Sequence, residues 1–421
     1  MTTTKWEWVL LCLLLPVVLF VFSRHDRAAS IHRVAASKES TESTPSRFPK
    51  RTIAQAPPIP ARSLSVGLPE AGHWRGKPAL ADLNHDGRLD LVASIRRWNR
   101  STPGEGLWVW LNDGHAGWTA SIGGLRRDLG YGGTEVADID HDGNLDIAFS
   151  GHDVTPSVFL GDGKGSFAAA PCDLGLTSMC SDVALGDLDG DGHQDLAALG
   201  FWPGEGGLWV YRGDGRGSFS RIAELLGPDH YGAQIQIVDL DGDQTPEIIA
   251  ATDQGPRIWR RLGAGDFEAW PVPLEQGDIF GANLAVAAAD LDGDGIKELL
   301  AGGMLFEGHS PLRLWRFDGA NWSDWGSGLP DDEPFFDVVF AKLQESGPPR
   351  IVAAGKAGIS VIDVTREGVF RRRGRIPGTE GAVHLGAGDV TGDGRDEIVS
   401  VGFNGVHVLA LDSLECLEGD V

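Results

Sequence analysis

A nine-residue acidic loop, written six times along the chain, restricts the possible folds more than any other feature. Its clearest copy is Asp290–Glu298 (DLDGDGIKE), with acids at positions 1, 3, 5 and 9, glycine at position 6, and the apolar run Leu299–Gly303 behind it. The others are Asp82–Asp90 (DLNHDGRLD), Asp138–Asp146 (DIDHDGNLD), Asp187–Asp195 (DLDGDGHQD), Asp239–Glu247 (DLDGDQTPE) and Asp389–Glu397 (DVTGDGRDE). Hard cations such as Ca²⁺ need several oxygen ligands at close range, and alternate carboxylates around a glycine turn supply them. An EF-hand would place its last carboxylate at loop position 12, between amphipathic helices. Here the last acid is at position 9, and the run after it is too short and apolar for a surface helix, so the unit reads strand, loop, strand.

The first aspartates are 56, 49, 52, 51 and then 99 residues apart. The last interval is two periods, and in its middle Val338–Gly355 keeps the apolar strands but has lost the acids. Seven repeats of about fifty residues, six with a loop, predict a solenoid, propeller or array. The 59 glycines, 23 prolines and absence of a long amphipathic segment favour all-β structure in one large domain over residues 62–412. Each repeat reads as four strands: one before the loop, one after it, a third with patterns such as Leu107–Trp110 and Leu312–Trp315, and a fourth after a turn such as Gly161–Phe167. The last repeat supplies only three, and Arg62–Leu68 is left over at the start, so the expected fold is a seven-bladed β-propeller of four-stranded blades whose N-terminal strand completes the last blade. Radial closure leaves only short, protected edges.

Tyr131-Gly132, Tyr231-Gly232 and Phe280-Gly281, each shortly before an acidic loop, resemble the Phe-Gly of FG-GAP repeats. The loops are similar to the calcium loops of integrin α-subunit propellers and of bacterial VCBS-type repeat proteins. The resemblance covers about residues 62–412. It implies the propeller fold but not one function, since that scaffold hosts adhesion modules, lectins and some polysaccharide lyases.

Ligand chemistry and the resemblance together assign Ca²⁺ to about six sites. The expected ligands are Asp82, Asn84, Asp86 and Asp90; Asp138, Asp140, Asp142 and Asp146; Asp187, Asp189, Asp191 and Asp195; Asp239, Asp241, Asp243 and Glu247; Asp290, Asp292, Asp294 and Glu298; and Asp389, Thr391, Asp393 and Glu397. The loops starting at Asp82, Asp138, Asp187 and Asp290 are complete. Gln244 replaces the position-6 glycine in the loop starting at Asp239, which is expected to weaken it by strain. Thr391 replaces an acid in the last loop, where Asp396 is a candidate to compensate. With every ligand position filled by protein, the expected role is structural rather than catalytic.

The 421 residues carry 60 acidic and 36 basic side chains, −24 overall. Twenty-two of the carboxylates occupy the loop ligand positions, so much of the acidity is a cation signature, and the lack of a basic face excludes nucleic acid as a partner. Trp108, Trp110, Trp209, Trp259 and Trp315 on third strands read as inter-blade core. The loops on the face away from the metal loops would gather Arg96, Arg97, Trp98, Arg126, Arg127, His152, Trp202, His230, Tyr231, Phe306 and His309, a set that suits a protein or carbohydrate ligand. No nucleophile motif, HExxH or phosphate loop is present, and no catalytic residue is assigned. The alternative to a binding or adhesion module is a polysaccharide lyase with one of His73, His152, His230 or His309 as base.

Trp8–Phe22 is apolar for 15 residues, the length of a signal-peptide core and short for a full membrane span. Residues 1–23 are therefore read as a hydrophobic helix that is either a cleaved signal peptide or a membrane anchor, and the chain as exported in either case. Residues 24–61 read as a disordered tether, and 413–421 as a tail. Cys172 and Cys180 are close enough in sequence for a bridge in an oxidising compartment, or stand as two thiols; Cys12 lies in the N-terminal apolar run, and Cys416 has no evident partner.

Overall fold

The run after each acidic loop is apolar at every position rather than at alternate ones, so it must be covered on both faces. A ring of radially packed sheets meets that demand. In the computed structural model the described residues are 54–95, 106–126, 130–151, 154–170, 174–176, 179–202, 204–263, 265–273, 283–303, 312–364 and 368–412. The expected N-terminal helix, most of the tether and the C-terminal tail lie outside them. Among the described residues no helix is long and apolar enough to cross a membrane.

The described residues form seven four-stranded antiparallel sheets. Blade 1 consists of Ala79–Ala81, Asp90–Ser94, Leu107–Asn112 and Trp118–Ala120, and blade 2 of Thr134–Ala137, Asp146–Gly151, Val154–Gly161 and Phe167–Ala169. Blade 3 consists of Cys180–Gly186, Asp195–Gly200, Leu208–Gly213 and Phe219–Leu226, and blade 4 of Gly232–Val238, Glu247–Thr252, Gly255–Gly263 and Asp266–Ala269. Blade 5 consists of Asn283–Ala289, Glu298–Gly303, Leu312–Phe317 and Trp322–Asp324, and blade 6 of Phe335–Ala341, Arg350–Gly355, Gly358–Val364 and Phe370–Ile376. Blade 7 takes Ala382–Gly388, Glu397–Gly402 and Gly405–Leu411 from the end of the propeller, and Ala61–Ser63 from its beginning. First strands of successive blades touch, and that of blade 7 touches that of blade 1, so the ring is closed.

Second strands divide their side chains between two interfaces. Leu91 and Ala93 pack against Val399 and Val401 of blade 7, while Val92 packs against Ile147 and Phe149 of blade 2. The same division repeats around the ring, giving an apolar cluster at each blade interface. Trp110, Trp209, Trp259 and Trp315 are buried in these clusters, as core packing requires. Trp108 is half-buried and stacks on Trp110 at 5.6 Å.

The closing strand is shorter than Arg62–Leu68. Ala61, Arg62 and Ser63 pair with Leu411, Ala410 and Leu409, Leu64 N–H still donates to Val408 O (2.8 Å), and from Val66 the chain runs along blade 1. There the Trp118 indole donates to the Leu64 carbonyl (2.7 Å) and the Trp118 N–H donates to Val66 (2.8 Å). The approach is tight enough to need glycine at 67, where φ is 92° and a Cβ would lie 2.3 Å from the Trp118 carbonyl oxygen. Upstream, Ile59 N–H donates to Arg375 O (2.8 Å) and Arg375 N–H to Pro57 O (3.0 Å). One segment thus stitches blades 6, 7 and 1.

The innermost strands carry a second set of inter-blade bonds. Asp182, Gln234 and Asp337 each stand five residues ahead of the first position of their repeat's loop. Asp182 accepts from Ile235 N–H of blade 4 (3.1 Å), Gln234 from Val286 N–H of blade 5 (3.2 Å), and Asp337 from Leu385 N–H of blade 7 (2.8 Å). Gln234 also donates to Asp337 (2.7 Å). Burial pushes the Asp182 carboxyl up to about 7, against the pull of Lys77 and its own backbone donors. Beyond this polar ring is an axial cavity of about 310 Å³, bordered by Lys77, Glu135, Gln236 and Phe340 among smaller residues.

Candidate functional site

In the antiparallel blades, first-to-second and third-to-fourth strand turns lie at one end of the ring, and the remaining connections at the other. All the acidic loops therefore share one face.

Each loop is wound by its own side chains. The position-1 carboxylate accepts the N–H of position 6 in all six loops, at 2.8–3.1 Å. Position 5 accepts the N–H of position 7 at 2.7–3.0 Å. Position 9 accepts the N–H of position 2 at 2.8–3.0 Å. Position 6 has positive φ throughout, and Gln244 adopts it too (71°), as its place in a glycine position predicts.

The position-9 acids are buried. Burial pushes Asp90 and Asp146 up to about 6 and Glu247 and Glu298 up to about 7, with neighbouring loop acids adding to the rise. In the aspartate loops the second oxygen accepts a third-strand N–H: Asp90 from Asn112, Asp146 from Gly161 and Asp195 from Gly213, at 2.8–2.9 Å. The longer glutamate differs, and Glu298 Oε1 is buried without a hydrogen-bond partner. Asp138 Oδ1 is in the same state. Crowded, desolvated carboxylate oxygens that the protein leaves unsatisfied are what a bound cation would relieve.

Ligand oxygens converge within 4.8 Å in four loops: Asp138, Asp140 and Asp146; Asp187, Asp189 and Asp195; Asp239, Asp241 and Glu247; and Asp290, Asp292 and Asp294. The loop starting at Asp82 offers Asn84 in place of one acid, and Asn84 and Arg88 both donate to Asp86. In the last loop Thr391 Oγ1 donates to Glu397 (3.4 Å) and Arg395 pairs with Asp393. Asp396 does not point into that loop. Its carboxylate accepts Lys342 N–H of blade 6 (2.6 Å), because position 8 faces the preceding blade.

Arginines against the loops escaped the sequence reading. Arg212 lies 2.6 Å from Asp189 and 3.0 Å from Asp191, and Arg316 lies 2.8 Å from Asp292 and 3.3 Å from Asp294. Both occupy the same place on the third strand, one residue after the partner of Leu196 or Leu299. The position-4 residues His85 and His141 have positive φ (58° and 59°) and reach the next blade's loop, at Asn144 (3.0 Å) and His193 (2.8 Å).

On the opposite face the structure brings Trp202, His230 and Tyr231 together. Gly204 and Gly206, in the Trp202 loop, donate to Pro228 O at 2.7 and 3.0 Å. His230 Nδ1 is 3.2 Å from Asp253 and 2.9 Å from Gln254 Nε2, and Gln254 Oε1 accepts from Arg257. Tyr231 N–H donates to Asp253 (3.3 Å). Arg126 is exposed elsewhere, near the end of blade 1. Arg96, Arg97, Trp98, Arg127, His152, Phe306 and His309 lie outside the described residues, as does Cys172; Cys180 is buried, which pushes its thiol up to about 12.

The FG-GAP-like repeat profile matches residues 82–149, 138–198, 187–250 and 239–301, about half of the chain. No curated protein matches in sequence. Among solved structures, BBS1N in complex with ARL6DN aligns with a TM-score of 0.55 at 10% identity, covering 87% of this chain and 100% of that one. The extracellular domain of BT4673 from B. thetaiotaomicron aligns with a TM-score of 0.51 at 12% identity, covering 83% of this chain and 39% of that one. At such identities the likeness is one of fold.

Proposed function

Because the chain belongs to the FG-GAP-like repeat family, we propose that it is an exported, calcium-stabilised propeller that binds a protein or glycan on the face away from the metal loops. The observation that carries the calcium reading is the convergence of three carboxylates in each of four loops, with buried oxygens left unsatisfied. Asp138, Asp187, Asp239 and Asp290, with their loop partners, would hold the ions; the loops starting at Asp82 and Asp389 are weaker candidates. Calcium supplies charge and cross-linking there, and the chain's own acids set the strand-to-strand geometry.

The test is thermal unfolding of the full-length chain in calcium and in chelator. A ligand that binds only the folded state adds RT ln(1 + [L]/Kd) per site, about 2.7 kcal/mol at a hundredfold excess over Kd. A large fall in melting temperature on chelation is expected, and an unchanged melt would refute the assignment. For the ligand face, Trp202→Ala should abolish binding in a glycan or partner screen without moving the melting temperature.

The His230, Asp253, Gln254 and Arg257 cluster favours a second reading, a polysaccharide lyase. His230 oriented by Asp253 would take the proton α to a uronate carboxylate, the C4–O bond would break as the C4–C5 double bond forms, the departing oxygen would take a proton from solvent, and Arg257 would neutralise the carboxylate. Turnover of acidic polysaccharides to unsaturated uronates, lost in His230→Ala, is the expected sign. A silent substrate panel would sink this reading and leave the first intact.

A further inference from the structure

Blade 6 has no acidic loop, and beside its replacement is a cavity of about 530 Å³ on the metal-loop face. That volume falls within the ~300–1,000 Å³ usual for small-ligand sites. The lining comes from the blade 5 loop (Asp290–Gly293), from Gly347, Pro348 and Pro349 of blade 6, and from Trp325. Trp325 is half-buried and firmly held. Phe370 meets its ring edge-on at 5.6 Å, and the Arg316 guanidinium lies 5.5 Å from its centroid while bonding to Asp292 at 2.8 Å. A ring already fixed in place costs little entropy when it takes a ligand.

The polarity of the lining is one-sided. Pro348 and Pro349 have no N–H to offer. The N–H groups of Leu291 and Gly293 already donate to Glu298 and Asp290. The Trp325 indole N–H is turned to Gly368, where a Cβ would lie 2.3 Å from Nε1. The charged groups at the cleft are then the carboxylates of Asp290 and Asp292, with the Arg316 guanidinium paired to Asp292 beside them. An extended proline-rich peptide brings carbonyls but few donors to these carboxylates, whereas sugar hydroxyls can donate to them.

We propose that this cleft binds a neutral pyranose, with the apolar C–H face of the sugar on Trp325 and the proline wall, and its hydroxyls donating to Asp290 and Asp292. The proposal is independent of the opposite-face reading above: it adds a second site, at a different face from Trp202.

The test titrates full-length protein in calcium with methyl α-mannoside, methyl β-galactoside and methyl β-glucoside, read by saturation-transfer NMR and tryptophan fluorescence. At least one should bind, and Trp325→Ala should weaken it tenfold or more. Pro348→Glu, at an exposed position that leaves the core intact, should do the same, while Trp202→Ala should change nothing. Failure of all three glycosides to bind folded protein would overturn the proposal, as would binding that survives both cleft substitutions or a proline-rich peptide displacing the sugar. Loss of binding in Trp202→Ala alone would also overturn it, and would leave the opposite-face reading standing.

Discussion

Blades 5 and 6 solve one electrostatic problem in opposite ways. Register places Glu298 opposite Ala289 in blade 5 and Arg350 opposite Ala341 in blade 6, so an acid and a base occupy the same position. The third strands are exchanged as well. Arg316 follows the partner of Leu299, and Asp363 follows the partner of Ile351. Position 1 is Asp290 in one blade and Lys342 in the other. Blade 5 thus gathers carboxylates that invite a cation, whereas blade 6 has written its cations into the chain: Arg350 and Arg373 flank Asp363 at 2.6 and 3.0 Å. At the place where blade 5 gathers carboxylates, blade 6 therefore carries guanidinium groups of its own.

The largest effect is expected where that substitute is removed. Asp363, Arg350 and Arg373 have side chains only 18, 13 and 9% exposed, so Asp363→Ala removes a carboxylate that two guanidinium groups share with little water around them. Breaking a buried pair by removing one partner costs about 3–5 kcal/mol, readable as a fall in the denaturant midpoint. The fall should be the same in calcium and in chelator; a loss confined to calcium would mean that blade 6 binds an ion after all. Asp290→Asn in blade 5 should behave the other way. Its cost, about 2.7 kcal/mol at a calcium concentration a hundredfold above Kd, should largely vanish in chelator, and a loss of the same size there would make the loop a hydrogen-bonded turn only.

The sequence displayed the repeat, the ring closure and the loop ligands because each is a local pattern: acids at fixed spacing, apolar runs, a leftover strand. What it concealed depends on neighbours. Arg212 and Arg316 reach the loops from third strands, Asp396 serves the preceding blade, and Asp182, Gln234 and Asp337 join blades across the axis. Nothing in a single repeat marks these residues, although the constant offset of five from each loop singles out the axial set once repeats are aligned. The closing strand came out too long for a related reason. Arg62–Leu68 has strand-like composition throughout, but Trp118, more than fifty residues away, bonds Leu64 and Val66 and draws the chain across to blade 1 after Ser65.

Smaller substitutions sharpen the comparison inside the acidic loops themselves. Arg316 is half-exposed, so its pairs with Asp292 and Asp294 contribute at most about 1 kcal/mol to stability. Yet it competes for the oxygens a cation would use. Arg316→Gln should raise the calcium affinity of blade 5 several-fold by calorimetric titration, with little change in melting temperature in chelator; reduced affinity would show that the guanidinium supports the site.

The mildest change tests strain rather than charge. Blade 4 keeps all four acids and brings Asp239, Asp241 and Glu247 together, but it holds Gln244 at φ 71° where the other acidic loops have glycine. A non-glycine residue in this region costs on the order of 1 kcal/mol. Gln244→Gly should recover much of that, offset in part by the greater freedom of glycine in the unfolded chain. A net gain of a few tenths of a kcal/mol in chelator, with tighter calcium binding at this loop alone, would show that blade 4 is weakened by backbone strain and not by its ligands. No gain in either measurement would mean that the left-handed turn costs Gln244 nothing that glycine would recover, since the N–H bond to Asp239 is made by either residue.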